Sequence, residues 1–427
     1  MYNRDAAKWP KRYGKVKKIA IIGGGASGMM AAIAAAQYGA QVTIFEKNDR
    51  IGKKILATGN GKCNYSNRDF RMEYYYGTYR DRLPQLFEQF SVADAVSFFH
   101  EAGMLSKERN GYLYPLSEQA STVLDILRLK LKRLGVRTEV STEVKSLQKS
   151  GKDGMFVIET EGRTEKFHSA VLACGGCAAP KTGSDGSGYR LAVGMGHQLI
   201  DTVPALVQLK CREDLFKLAA GVRCDALLKL GSETSPAQEE RGEVQFTDYG
   251  ISGIPVFQLS RTAAYMLKEK KEVPVYIDFF PDSGDEEYEK LCRMRIDDCE
   301  GKTAEEFLLG MANKKINMAM LKLKGIKPSE ESARIGKEAL KKLLYSYRRL
   351  CVHVMSTNSF ENAQVSAGGV DMREVTLQME SVFVPGLYFA GELLDVDGRC
   401  GGYNLQWAWT SGYIAGKNAA MHNIKKQ

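Results

Sequence analysis

Three glycines in the spacing Gly23-x-Gly25-x-x-Gly28 follow an apolar run, and an acid, Glu46, closes the next β-prone run. Residues of these types in this order serve binding rather than bond-making. The first glycine allows a tight turn, the second lets a pyrophosphate approach the backbone, and the third lets a helix pack on its strand. The helix that opens at Ala26, Ser27 and Gly28 then offers free N–H groups and a partial positive charge to phosphates. At the position of Glu46 an acid holds the diol of an adenosine ribose, which favours FAD or NAD over NADP.

A glycine fingerprint alone says little, so the elements that must position it carry the weight. Residues 19–22, all apolar, predict a buried strand, and the Ala/Met-rich stretch stopping at Gly39 predicts a helix. The next run, QVTIF, predicts a second, parallel strand ending at Glu46. Strand, turn, helix, strand and acid in that order make the βαβ unit of a dinucleotide-binding domain.

The chain then returns to the nucleotide several times. Residues 47–67, KNDRIGKKILATGNGKCNYSN, are rich in Gly and Asn and predict a long functional loop. Within it Lys53 and Lys54 are candidates to face phosphates, and Gly59 and Gly61 let backbone approach a flat ring. Lys47, Cys63 and Asn64 join the same candidate set. A strand and turn around residues 136–144 make Val144 the candidate for a backbone contact to adenine, and HSAVLACGG (168–176) predicts a strand ending in a small-residue turn at Ala173 and Gly175. Finally PGLYFAGELLDVDG (385–398) predicts a strand ending at Gly391-Glu392, followed by the glycine turn and helix at Gly402, Tyr403 and Asn404. That order suits the ribityl chain and pyrimidine edge of a flavin. Asp395 and Asp397 either order the last turn or bond the ribityl chain. No second GxGxxG lies between strands, so FAD is the expected bound cofactor, with no separate Rossmann domain for NAD(P).

The stretches GGGASGMMAA, GKKILATGNGKCNYSN, LACGG, FTDYGISGIPVFQLS, SAGGV, TLQMESVFVPGLYFAGELLDVDG and GGYNLQWAWTSG, spread over residues 19–416, resemble a family of bacterial FAD proteins. Its members are labelled aminoacetone-oxidase-like or bile-acid-reductase-like. The resemblance implies an α/β fold: a Rossmann-type, fumarate-reductase-like FAD-binding domain, split by an inserted β-barrel-like plus small helical domain. The expected boundaries are a basic N-terminal arm (1–18), the first part of the FAD domain (19–199), an inserted substrate or cap domain (200–345) and the second part (346–427). Composition agrees: 283–348 is Lys/Glu-rich and helix-favouring, while 204–280 carries β-prone runs such as VPVYIDFF. The resemblance further implies reduction, driven by NAD(P)H as a transient reductant, of a C=C bond conjugated to a ketone in a bulky, steroid-like substrate. Its other label implies oxidation of a small amino ketone by O₂. Two departures bear on the substrate: Asp248 and Tyr249 stand where the family often has a His, and Ser184 is an extra residue in a Thr-Gly-Asp-Gly-like turn.

The remaining chemistry-bearing residues read more plainly. Tyr403 and Tyr249 are the candidate proton donors, since phenols can supply a proton to a reduced substrate. Trp407 and Trp409 are expected to pack the last helix on the sheet. Cys174 and Cys177 form a CxxC, read here as a small-residue turn rather than a redox dithiol. No second Cys/His pair at zinc spacing accompanies it, and the five histidines form no cluster, so no metal site is expected. Nine cysteines, an odd number without a signal peptide, point to reduced thiols in the cytoplasm. No stretch approaches the ~20 apolar residues of a membrane span. The arm at positions 1–18 carries seven Lys/Arg against one Asp and so holds most of the net charge of +9. Such an arm is expected to be a solvated tail, which makes nucleic acid an unlikely partner; an RNA-modifying flavoprotein or a flavin-binding regulator are the alternatives from other classes.

Overall fold

A computed structural model describes residues 16–422; the greater part of the basic arm, positions 1–15, lies outside the described residues. The chain divides into two compact units, one from residue 16 to Thr202 and again from Val365 to residue 422, the other Val203–Gln364.

The first unit is built on a five-stranded parallel sheet. Its strands are β1 (Lys18–Ile22), β2 (Gln41–Phe45), β3 (Arg137–Glu139), β4 (Ser169–Leu172) and β5 (Leu387–Phe389), in the order β5-β4-β1-β2-β3. Strands covered on both faces read as continuous apolar runs, and the apolar stretches 19–22, 170–172 and 387–389 are all buried. One face carries α1 (Ala26–Gln37), whose Ala/Met sequence lets another helix come close, and α2 (Tyr403–Met421) fills that place. A Cβ on Gly412 would overlap the Ser27 carbonyl, and one on Gly416 the Ala31 carbonyl. This pair of glycines, one helical turn apart, brings the two backbones together.

Residues 47–67 are less irregular than their composition suggests. Lys53–Ala57 forms a short helix, because Lys-Lys-Ile-Leu-Ala are good helix formers and Ile55 is buried against the core. A tight turn follows at Thr58–Gly61.

The second unit has its own core. Six antiparallel strands close into a barrel, in the order Leu209–Cys211, Gly250–Ser252, Gln238–Phe246, Arg223–Leu230, Pro274–Asp278 and Leu350–Thr357, the last pairing back onto the first. Helices such as Asp285–Asp297, Lys314–Leu323 and Lys337–Tyr345 join the same core. The insert therefore runs to Gln364 rather than stopping at 345. The Lys/Glu-rich composition does end near 348, but the strand after it completes the barrel before the chain returns to the parallel sheet.

Candidate functional site

The glycine turn after β1 shows a different cause at each glycine. Gly23 has φ +105°, and a Cβ on it would overlap the Ala173 carbonyl. A Cβ on Gly28 would overlap the carbonyl of Gly23 itself. Gly25, by contrast, faces open space, with no atom within 4 Å of where its Cβ would sit. Two glycines close the turn and the third leaves it accessible. Gly25 is also the N-cap of α1, no side chain caps that end, and no acid stands in its first turn. Ser27 is buried, its hydroxyl turned to the Ala390 carbonyl at 3.5 Å, so the end of β5 lies against the start of α1. The first-turn N–H groups there form a ready site for a diphosphate.

Glu46, 8% exposed, sits beside this turn. Its Oε2 accepts from the Gly24 N–H at 2.9 Å, and Oε1 accepts from the Asn48 N–H (2.9 Å) and Nδ2 (2.8 Å). The oxygen nearer the glycine turn keeps one lone pair for a further donor such as a ribose hydroxyl. Val144 begins the strand Val144–Lys149 and is buried, and the turn before it is tied to Glu46 by a Thr142 N–H to Glu46 carbonyl bond of 2.8 Å.

All three candidate lysines are held by acids. Lys47 Nζ lies 2.5 Å from Asp185, Lys53 2.6 Å from Asp49, and Lys54 2.7 Å from Glu392. The Lys54–Glu392 pair joins the early loop to the end of β5, and Glu392 Oε1 also accepts the Ser366 N–H at 2.9 Å. Ser366 Oγ in turn accepts from the Cys177 and Ala178 N–H groups at 2.7 and 3.0 Å. Ser366 and Asn48 were not singled out in the sequence. Asn48 carries a local signal, an amide just beyond the acid, whereas Ser366 opens the SAGGV stretch with no local pattern to show its role, since its partners lie far earlier in the chain.

A second constellation lies where the 59–64 loop meets the start of α2. Gly59, Asn60, Gly61 and Cys63 all have positive φ, of 55°, 52°, 83° and 56°. Two of these are not glycine, a local strain that the surroundings must hold in place. Cys63 is fully buried, and burial pushes its thiol up to about 11. The buried Oδ1 of Asn64 has no hydrogen-bond partner, a costly arrangement unless a ligand supplies the donor. It faces Gly402, whose Cβ would come within 2.8 Å of it. Gly402, with φ +93°, is the N-cap of α2, and no side chain caps that helix start either.

Several buried bonds fix the placement of α2. Trp409 Nε1 donates to the Tyr65 carbonyl (2.9 Å), Trp407 Nε1 to the Gly391 carbonyl (3.1 Å), and Ser66 Oγ to Gln406 Oε1 (2.7 Å). Both tryptophans therefore pack, as expected, and also anchor the helix to the loop and the sheet. Asn404 is committed to the preceding turn, accepting from the Gly398 N–H and donating to its carbonyl, both at 2.8 Å. Asp395 and Asp397 are buried, and Asp395 Oδ2 accepts the Thr78 N–H at 2.7 Å. The Tyr403 hydroxyl donates to the Asp69 carbonyl at 2.8 Å, its ring lies edge-on to Tyr74 and Tyr75, and burial raises its phenol. Tyr249 belongs to the other unit, where its hydroxyl accepts from Asn358 Nδ2 at 3.1 Å.

All nine cysteines are free thiols. Cys174 is turned to the Ile22 carbonyl at 3.2 Å, burial raising it to about 12, while Gly175 packs on Ser184. Among the described residues no cluster of metal-ligating side chains occurs and no helix is long and apolar enough to cross a membrane. The first unit thus has an uncapped helix start beside the buried acid Glu46, and a second uncapped start beside an orphaned buried amide oxygen. The first suits the adenosine diphosphate of FAD, and the second a flat ring carrying an N–H donor.

The chain is a Rossmann flavoprotein, an FAD-dependent oxidoreductase. The model of the HI0933-like protein Rossmann domain matches residues 17–418, and the chain belongs to that family. It is 44% identical over 408 residues to the 3-dehydro-bile acid Δ(4,6)-reductase of Clostridium scindens, covering 95% of this chain and 99% of that protein. It is 29% identical to the ribosomal RNA dihydrouridine synthase of Haemophilus influenzae, covering 92% and 96%. The solved 3-ketosteroid Δ1-dehydrogenase of Sterolibacterium denitrificans, in complex with 1,4-androstadiene-3,17-dione, aligns over 96% of this chain and 100% of its own. Its TM-score is 0.50 at 13% identity, a likeness of fold alone.

Proposed function

We propose that this protein saturates a C=C bond conjugated to a ketone in a bulky, apolar, steroid-like substrate, with NAD(P)H supplying the electrons. The observation that carries this reading is the end-to-end 44% identity to a bile acid Δ(4,6)-reductase. When bound, FAD supplies two-electron hydride chemistry. The chain's own residues bind and orient it: the first turn of α1 holds the diphosphate, Glu46 the ribose, and Asn64 Oδ1 accepts from the ring. The uncapped start of α2 at Gly402 favours negative charge developing on the ring edge beside it. In balance, a hydride reaches the β-carbon and a proton the α-carbon, while NAD(P)H is oxidised to NAD(P)⁺. Nine free thiols accord with a cytoplasmic setting.

One experiment tests this reading. Under anaerobic mixing, NADH or NADPH bleaches the flavin, and an enone steroid re-oxidises it faster than air does. Rapid re-oxidation by O₂ together with turnover of a small amino ketone would replace the proposal with an oxidase.

A second reading rests on the dihydrouridine synthase relative. Making dihydrouridine from uridine also saturates a C=C bond conjugated to a carbonyl, so the same flavin chemistry serves. The seven Lys/Arg at positions 1–18 give a means of holding RNA. Deleting that arm distinguishes the readings: steroid turnover is expected to survive, and RNA affinity would fall only under the second.

A further inference from the structure

The segment 182–187 is fastened to the ends of two strands. On the β2 side, Asn48 Nδ2 donates to the Thr182 carbonyl at 3.1 Å, and Lys47 Nζ meets Asp185 at 2.5 Å and the Ser187 hydroxyl at 3.1 Å. On the β4 side, the buried Ser184 hydroxyl and the Gly186 N–H both donate to the Gly176 carbonyl, at 3.1 and 2.9 Å. The extra residue of this turn is therefore its inward anchor. β2 and β4 are the two neighbours of β1 in the sheet, so the segment spans the carboxyl end of β1, where the glycine turn at 23–28 begins. Pro180, Gly183 and Asp185 also form part of a polar cleft of about 670 Å³ that includes Lys47 and Asn48.

Two features make this more than a surface turn. The Asn48 amide is shared: it bonds the segment and, at 2.8 Å, the Glu46 carboxylate assigned to the ribose. Burial raises the Asp185 carboxyl, but hydrogen bonds from Lys47 and Ser187 outweigh it and hold the group at about 2, so the carboxylate stays charged at any neutral pH. We propose that the segment 182–187 is a strap over the bound cofactor, and that Lys47, Asn48 and Asp185 are its latch and set the rate at which FAD leaves. The proposal rests on the FAD assignment. Because Asn48 serves both partners, opening the strap also loosens Glu46, so release of the strap and of the ribose are coupled.

The test uses full-length holoprotein and follows the fluorescence of flavin released on dilution. Lys47→Met and Asp185→Asn are each expected to release FAD about fivefold faster. The double variant should be no faster than Lys47→Met alone, since the ion pair that Asp185→Asn removes is already lost there. The exchanged pair Lys47→Asp with Asp185→Lys should restore slow release. In cofactor-free protein, trypsin should cut faster at exposed Lys181 in both single variants. Unchanged release in both single variants, or additive effects in the double, overturns the strap alone. A wild-type chain that never retains FAD overturns the cofactor assignment beneath it as well.

Discussion

The molecule has two helix starts without a side-chain cap, at Ala26 and Tyr403, and the two are made differently. At the start of α1 the backbone does nearly all the work: Gly23 and Gly28 close the turn, Gly25 leaves it open, and no side chain caps the helix. At the start of α2 side chains dominate: Asn64 presents its amide oxygen, Tyr403 is tied to Asp69, and Asn404 braces the turn before it. A diphosphate needs only N–H groups and positive potential, which any sequence with the right glycines supplies. A ring must be read at particular atoms, which takes named side chains at fixed positions.

Substitutions can break this contrast, starting with the largest effect. Gly28→Ala drives a Cβ into the backbone of Gly23, so we expect a loss of about 3 kcal/mol in urea unfolding and no retained FAD. Gly25→Ala, with open space around it, should leave the unfolding curve unchanged while weakening FAD binding about tenfold. Equal loss of stability in the two would erase the distinction between closing and accepting glycines.

Glu46→Ala removes the carboxylate proposed to hold the ribose and should raise the FAD dissociation constant about thirtyfold, the scale of hydrogen bonds to a charged group. Unchanged occupancy in equilibrium dialysis would detach Glu46 from the cofactor.

Asn64→Ala is the counterpart beside the start of α2. The cofactor-free protein should become no less stable, because a buried unsatisfied oxygen is removed. The holoprotein should show an altered flavin spectrum and flavin reduction slowed about tenfold. A variant indistinguishable in spectrum and rate would leave the orphaned oxygen without a ligand.

Tyr403→Phe should cost about 1 kcal/mol of stability and change turnover less than twofold, since its hydroxyl already serves the Asp69 carbonyl. A hundredfold fall in turnover would instead make it the proton donor.

The smallest effect concerns Cys63. With its thiol raised to about 11, the neutral, unreactive form prevails below that pH and the thiolate grows only as pH climbs toward it. Peptide mapping after iodoacetamide at pH 8 should find Cys63 unmodified, and rapid labelling there would mean the 59–64 loop opens.

The contrast also explains what could be read from the chain in advance. The βαβ unit was legible because its parts all fall between Lys17 and Glu46 and each glycine answers to a local steric demand. The strand at 387–389 and the helix after it were legible as pieces, but the approach of Gly402 to Asn64 was not, because it joins distant parts of the chain. Asp185 and Ser366 were not legible as partners, because an ion pair or a hydrogen bond between distant parts of the chain leaves no periodicity. The end of the insert was misplaced because LCVHVMST is an alternating strand that reads equally well in a barrel or at the entry to a sheet. The short helix Lys53–Ala57 was hidden among glycines, although an unbroken run of helix-forming residues with one buried isoleucine suffices.

Gly412 and Gly416 press α2 onto α1, although one helix begins at Ala26 and the other at Tyr403. On a ribosome, α1 emerges first and must wait for nearly the whole chain before its closest helical neighbour exists. The face of α1 that takes α2 lacks that partner until the barrel unit has been made. A nascent chain arrested inside the insert therefore exposes apolar surface on α1 that α2 would otherwise cover.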